Sequence, residues 1–301
     1  MERNDKSSSG TRAASSLRDR YPQLTRRQIE EALEAGLCTF EGRHLKKGDR
    51  ISGPDVLDSR ALDAHLQTLR VGNPSVVMSV LKEEEDFVIV DKPAGVKSHP
   101  LSLFDNDTVT QWAFGRYPAM RDAFAEALPT VVPHRLDTGT SGILVVAKNP
   151  AAYQQWRVRF QEKQVMKAYQ AWCWGKPAQA KFEVDVTMAH DSRDRRRMVV
   201  VKDGPTPPPP HLPSHSSIQV VEQRGEDQVR VEVVCRTGVT HQVRVHLAVS
   251  GFPLVGDRLY DAESAKRSWQ PAHHLLRACR LEWPGGAVLA PMQDFETASE
   301  K

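Results

Sequence analysis

The chain opens on MERNDKSSSGTRAASS, a polar stretch with no apolar repeat, so residues 1–16 read as a disordered tail. Apolar positions begin to recur in LTRRQIEEALEAG, where Ile29 and Leu33 share one helical face. Thr25 and Gln28 have the spacing of a capping box, and Gly36 supplies the stop. Short apolar runs follow in LCTFEGRHLKKGDRIS. They predict a strand at Leu37–Phe40, turns at Glu41–Gly42 and Lys47–Asp49, and a further strand at Ile51. Residues 17–60 thus read as a small α/β domain. The pattern fades from residue 53, and residues 61–76 read as a linker.

Residues 77–301 carry longer elements. Phe87–Val90 is an apolar strand that turns out through Lys92–Pro93–Ala94–Gly95, and Ile143–Ala147 is an aliphatic strand behind a turn containing Gly139 and Gly142. KAYQAWCWG (Lys167–Gly175) alternates as a strand does, and Val229–Val234 reads as another. After a turn at Thr237–Gly238, the spacing predicts a helix over Thr240–Ser250, with Thr240 as its N-cap. The consecutive prolines of DGPTPPPPHLP make 203–213 an extended spacer loop. Many strands, few helices and no βαβ alternation predict an α+β fold around a mostly antiparallel sheet.

Composition narrows the class. Hydrophobic residues are 40% and charged residues 26%, as in a globular protein in water. No stretch is apolar enough to span a bilayer, and the first residues lack the apolar core of a secretory signal. Glu2 and Asp5 argue against a mitochondrial presequence, so a cytoplasmic protein is expected. Cys38, Cys173, Cys235 and Cys279 are scattered and form no CxxC, which predicts reduced thiols and neither zinc nor disulfides. The histidine pairs His273–His274 and His211…His215 lack the acidic and cysteine company of a metal site, so no metal is expected. With a net charge of only +3, any phosphate-binding surface must be a local patch. No Walker or dinucleotide loop is present. No extended apolar seam is visible, so a monomer is expected.

Chemistry concentrates in HRLDTGTSGILVVAKN (His134–Asn149). Asp137 stands in a turn just before an aliphatic strand, where a carboxylate can serve as nucleophile, as base or as a mere turn cap. RTGVTHQVRVHLAVSGFPLVGDRLY gathers Arg236, His241, Arg244 and His246, with Thr240, His241 and Arg244 spaced for one helical face. An arginine there can hold a buried carboxylate ionised. Tyr169, on the alternating strand, can stack on a base. Arg26, Arg27, Lys46, Lys47 and Arg50 cluster in the first domain, and DSRDRRRMVV places Arg195, Arg196 and Arg197 ahead of an apolar strand. Each cluster is either a solvated face or a contact to an RNA backbone.

These segments, in this order and together with EDFVIVDKPAGV, LLRACRLEW and APMQDF, resemble the RluA-type pseudouridine synthases over roughly residues 80–296. The first domain resembles an S4-type RNA-binding module, with FEG where that module usually reads VNG. The resemblance implies a pseudouridine synthase fold: a mixed, mostly antiparallel sheet with flanking helices and a central cleft. It implies isomerisation of uridine to pseudouridine in structured RNA, ribosomal or transfer, without cofactor or metal. Asp137 would be the nucleophile, attacking either sugar or uracil; Tyr169 would lie on the target base; Arg244 would pair with the carboxylate. Leu275 or Leu276 would pack below the base, and His134, Arg135 and Thr140 would complete the RNA-facing motif; apart from the resemblance, the place of Arg135 beside Asp137 suits it to fill the gap left by a flipped base. The basic 191–200 segment would line the RNA cleft. Three positions depart from the family: Gly139 holds a slot that often carries an acid, Arg277 stands for a usual histidine, and Trp283–Pro284–Gly285 replaces an HP pair. Two rival readings remain at this level, an RNA-binding protein without catalysis and a nucleoside hydrolase. The hydrolase would need a second carboxylate opposite the first.

Overall fold

A computed structural model describes residues 11–52, 57–124, 130–202, 209–267 and 269–291. The chain divides into two compact units. One comprises the residues up to Val77 together with His99–Thr130; the other comprises Met78–Ser98 and the residues from Val131 onward.

In the smaller unit, β1 (Thr11–Arg12) leads into α1 (Ala13–Arg20), followed by α2 (Arg26–Glu34). Strands β2 (Thr39–Phe40), β3 (Arg43–His44), β4 (Arg50–Ile51) and β5 (Leu57–Asp58) come next, then α3 (Arg60–Thr68). The inserted segment adds α4 (Val109–Arg116) and α5 (Met120–Ala123). The capping box is present: Thr25 Oγ1 accepts from Gln28 N, and Gln28 Oε1 accepts from Thr25 N. The amphipathic face of α2 buries Ile29, Ala32 and Leu33.

Three expectations are corrected here. The tail expected over 1–16 is already helical from Ala13, because Ala13 and Leu17 are fully buried in the unit's core. The first half of the linker expected at 61–76 is α3, whose Leu62 and Leu66 enter the same core. The third concerns residues 99–130, expected within the catalytic domain. Leu103 joins the core of the smaller unit, and Ser102 Oγ and Leu103 N both donate to Glu31.

The larger unit is built on a ten-stranded sheet. Its strands are β6 (Ser79–Glu83), β7 (Phe87–Lys92), β8 (Ser141–Ala147), β9 (Met166–Trp174), β10 (Lys181–His190), β11 (Met198–Val200), β12 (Leu212–Arg224), β13 (Gln228–Cys235), β14 (Leu276–Trp283) and β15 (Gly286–Leu289). The order is β11-β10-β12-β13-β9-β14-β8-β7-β6, with β15 hydrogen-bonded to β14. Every pairing is antiparallel except β8 with β14. Two helices flank it, α6 (Pro150–Gln161) and α7 (Gln242–Val249). Asn149 caps α6 by accepting from Ala152 N. The result is the mixed, mostly antiparallel α+β fold expected.

The helix predicted over Thr240–Ser250 starts two residues late. His241, and not Thr240, is the N-cap, and it sits in the left-handed region at φ 57. Residues 203–208 of the proline loop and 292–295 of APMQDF lie outside the described residues.

Candidate active site

β8 is buried along its whole length, so the turn before it is set against the sheet. Thr140 N donates to Asp137 O at 3.0 Å and closes that turn. Gly142 continues it at φ 109, where an added Cβ would fall 2.1 Å from Ala278 O. Only glycine allows β14 to approach this closely. The segment after β7 clamps both flanks of Asp137. Ser98 Oγ donates to Leu136 O at 2.9 Å, and Gly95 N donates to Thr138 O at 2.7 Å. The fully buried Lys92 Nζ donates to the carbonyls of Pro93, Val96 and Thr138. Burial lowers its pKa to about 8, against the pull of Asp137.

Arg244, from α7, reaches Asp137 with one nitrogen: Nη1 donates to Oδ2 at 2.9 Å. Its other edge is a fork on Asp257, with Nε to Oδ2 at 2.8 Å and Nη2 to Oδ1 at 2.9 Å. Asp257, itself 1% exposed, is held by Leu259 N and Tyr260 N. The guanidinium is therefore aimed, not merely nearby. Burial alone would raise the Asp137 pKa, but the charges of His241 and Arg244 and the Arg244 hydrogen bond hold it below the ordinary carboxylate value. Asp257 is likewise held low by Arg244 against the effect of burial. Near neutral pH both carboxylates are ionised.

His241 Nε2 lies 3.7 Å from Asp137 Oδ2, and its Nδ1 is 2.8 Å from the Tyr260 hydroxyl. That hydroxyl accepts from Met198 N at 2.8 Å. Burial lowers the His241 pKa, against the pull of Asp137. The guanidinium groups of Arg244 and Arg197 lie 5.1 and 5.4 Å from the centre of the Tyr260 ring.

A cavity of about 380 Å³ opens on this group. Asp137, Tyr169, His241 and Arg244 line it, with Lys167, Leu276 and Phe160. Its size falls in the range of small-molecule sites. Tyr169 comes from β9, and burial raises its hydroxyl pKa well above the ordinary value, so it stays protonated.

The expected site residues divide. Asp137, Tyr169 and Arg244 share the cavity, and Arg135 stands exposed at it. Leu276 lines it, whereas Leu275 is turned into a cluster with Trp172, Trp174 and Val255. Adjacent residues of an extended chain point to opposite sides, so Leu276 and not Leu275 faces the cavity. His134 touches the cavity, but its Nε2 accepts from Val145 N at 3.0 Å and burial lowers its pKa to about 3. Its ring is neutral near pH 7 and is held against β8. Thr140 is 2% exposed, and its Oγ1 is 2.8 Å from His274 Nε2. It braces the turn.

His274 also accounts for Gly139: an added Cβ there would meet its Cε1 at 2.9 Å. Arg196 forks onto Asp194 and Arg197 stacks on Tyr260, while Arg195 is exposed. In the smaller unit Arg26 and Lys47 pair with Glu30, and Arg27 pairs with Glu31. Lys46 is exposed. Among the described residues no group of three His, Cys, Asp or Glu is placed to hold a metal. No described helix is long and apolar enough to cross a membrane.

Sequence reasoning missed Asp257, Tyr260 and Lys92, although GDRLY and DKPAG both lay inside the quoted motifs. The available signal was an acid so close behind a basic helix, and a lysine inside an apolar strand end.

Comparison with known proteins places these elements. Residues 86–249 match the RNA pseudouridylate synthase family. An uncharacterized RNA pseudouridine synthase of Chloroflexus aurantiacus is 32% identical over 239 residues, 79% of this chain and 72% of that one. The dual-specificity RNA pseudouridine synthase RluA of Escherichia coli is 32% identical over 189 residues, 62% of this chain and 78% of its own. Ribosomal large subunit pseudouridine synthase D of Yersinia pestis is 27% identical, over 91% of this chain and 86% of that one. Among solved structures, human RNA pseudouridylate synthase domain containing 1 superposes with a TM-score of 0.59 at 27% identity, covering 74% of this chain and 85% of its own.

Proposed function

The chain belongs to the RNA pseudouridylate synthase family and is an isomerase, and from that premise we propose that Asp137 is the nucleophile that converts specific uridines in structured ribosomal or transfer RNA. One observation carries the reading: an ionised carboxylate on a cavity wall, aimed by a single N–H of an arginine whose other edge is occupied.

Uridine and pseudouridine are isomers, so the site must break the C1′–N1 bond, let the uracil turn, join C5 to C1′, and move one proton from C5 to N1. Asp137 engages the substrate covalently while the base is loose. Tyr169 and Leu276 sandwich the ring and keep it from escaping. The bound nucleotide has to keep water from the loose base, which would otherwise turn the reaction into hydrolysis. A hydrolase would need a second free carboxylate across the cavity. Asp257, the other acid of the cluster, is spent on Arg244.

A stacked base cannot reach this cavity, so the target nucleotide is flipped out, at a cost of a few kcal/mol. Arg135, exposed beside Asp137, fills the gap that remains. Arg195, Arg196 and Arg197 and the basic face of the smaller, S4-like unit (Arg26, Arg27, Lys46, Lys47) hold phosphates. Removing the three arginines should flatten the salt dependence of RNA binding by about one unit of slope per lost contact. Full turnover of Arg135→Ala on folded RNA would dismiss the gap-filling role.

The deciding experiment is pseudouridine mapping on total RNA, by carbodiimide labelling and reverse transcription. Cells with the wild-type chain, without it, and with Asp137→Asn are compared. Stops lost in both the deletion and the variant establish the nucleophile and name the RNA. Stops retained with Asp137→Asn remove Asp137 from the chemistry.

A further inference from the structure

We propose that Lys167 is the cation that stabilises the uracil while it is detached from its ribose, a role that rests on the synthase reading of this cavity. Lys167 and Tyr169 stand two apart on β9, so both side chains leave the same face of the strand, and both line the cavity. Lys167 is 7% exposed. Its Nζ donates to Thr237 O at 2.5 Å and lies 6.0 Å from the centre of the Phe160 ring. Among the described residues no carboxylate pairs with it, and one carbonyl takes only one of its three N–H groups. An ammonium buried without a counter-ion is expensive to keep, and burial already lowers its pKa. Such a group at a cavity wall is suited to an anion that exists only during the reaction.

The chemistry supplies that anion. When the C1′–N1 bond breaks, its electron pair stays on N1, so the base is released as a uracil monoanion. The sugar carbon is compensated by a bond to an Asp137 oxygen. C5 then attacks C1′, the bond to Asp137 breaks, C5 loses its proton and N1 gains one, and the sum is an isomerisation. Lys167 holds charge in this scheme and transfers nothing.

The other charges of the cavity do not serve. Asp137, Asp257 and Arg244 together carry one net negative charge. Arg135, Arg157 and Arg236 are exposed to water, where their fields are screened.

The test uses the full chain and an RNA it modifies, with either uridine or 5-fluorouridine at the target. Fluorine acidifies the ring nitrogen and so stabilises the leaving anion without help from the protein. Single-turnover consumption of the target nucleoside is read from digests. Lys167→Met keeps the side-chain length and removes the charge. It should bind RNA within about threefold of wild type and react about 100-fold more slowly on uridine. The defect should shrink about tenfold on 5-fluorouridine, since a better leaving group needs less stabilisation.

Equal defects on the two bases, or an undiminished rate on uridine, would overturn the assignment. Lys167→Arg retains the charge and should keep the wild-type ratio of the two rates. If Lys167→Met does not fold, that ratio decides, and a changed ratio rejects the role. A wild-type chain that converts no RNA would instead bring down the synthase reading itself.

Discussion

Asp257→Asn isolates what aims Arg244. Oδ1 of Asp257 accepts from Arg244 Nη2, Leu259 N and Tyr260 N, and Oδ2 accepts from Arg244 Nε. An asparagine would place its oxygen toward the three donors and its NH2 against Arg244 Nε. One donor then faces another in a site that is 1% exposed. A buried unsatisfied donor costs about 1–3 kcal/mol, and the lost charge pairing adds to this, so a stability loss of about 3 kcal/mol is expected. The urea midpoint measures it directly.

The catalytic effect is separate. Arg244 would keep its bond to Asp137 but lose the fork that fixes its plane. Displacing a positioned group by about 1 Å costs roughly 100-fold in rate, or about 2.7 kcal/mol. RNA affinity should hardly change, since Asp257 is 1% exposed and does not line the cavity. A folded Asp257→Asn chain that turns over its RNA within about threefold of wild type would refute the claim that the fork positions Arg244.

Three further outcomes follow from the same geometry. Gly142→Ala puts a methyl group 2.1 Å from Ala278 O at φ 109, so it should lower stability by about 3 kcal/mol or more and reduce soluble yield; unchanged thermal unfolding would contradict the close approach of β14. Arg277, 1% exposed, forks onto Asp91 at 3.0 and 2.6 Å; Arg277→Met should cost about 3–5 kcal/mol by stranding that carboxylate, and adding Asp91→Leu should recover most of it in a denaturant cycle. Burial lowers the pKa of His134 to about 3 and those of His246 and His274 to about 4. The unfolded chain binds these protons below about pH 6.5 and the folded chain does not until far lower, so stability is intact above pH 6.5. It should fall as pH drops, by up to about 1.4 kcal/mol per pH unit for each histidine; urea midpoints that stay flat between pH 7.5 and 5.5 would exclude this.

Local rules were legible where local chemistry decides. Thr25 and Gln28 announce the start of α2, whereas the apolar strand behind Asp137 leaves that acid open as nucleophile, base or turn cap, and only the resemblance to a family singles it out. What stayed hidden depends on contacts distant in sequence. Nothing near Leu62 or Leu66 says that α3 packs with Leu17 and Ile29, since its apolar positions are sparse and its burial is tertiary. The cap of α7 was misassigned because Thr240 is the better intrinsic cap, whereas His241 takes the left-handed position facing Asp137 and Tyr260. The choice between Leu275 and Leu276 needed the strand register, and Asp257 needed the fold of the loop that brings it under Arg244.

The inclusion of residues 99–130 in the smaller unit bears on how the protein is made and cut. During synthesis that unit cannot close its core at Leu103 until the first strands of the catalytic sheet, β6 and β7, have already left the ribosome. It is therefore not an N-terminal module that ripens first. A truncation beginning at Met78 would remove the partners of Leu103, and would take away Leu69, whose carbonyl accepts from Gln111 Nε2. Such a fragment would carry an orphaned helical segment, and its loss of activity could not be assigned to lost RNA binding. A clean separation of the two units has to excise 99–130 as well and rejoin Ser98 to Val131.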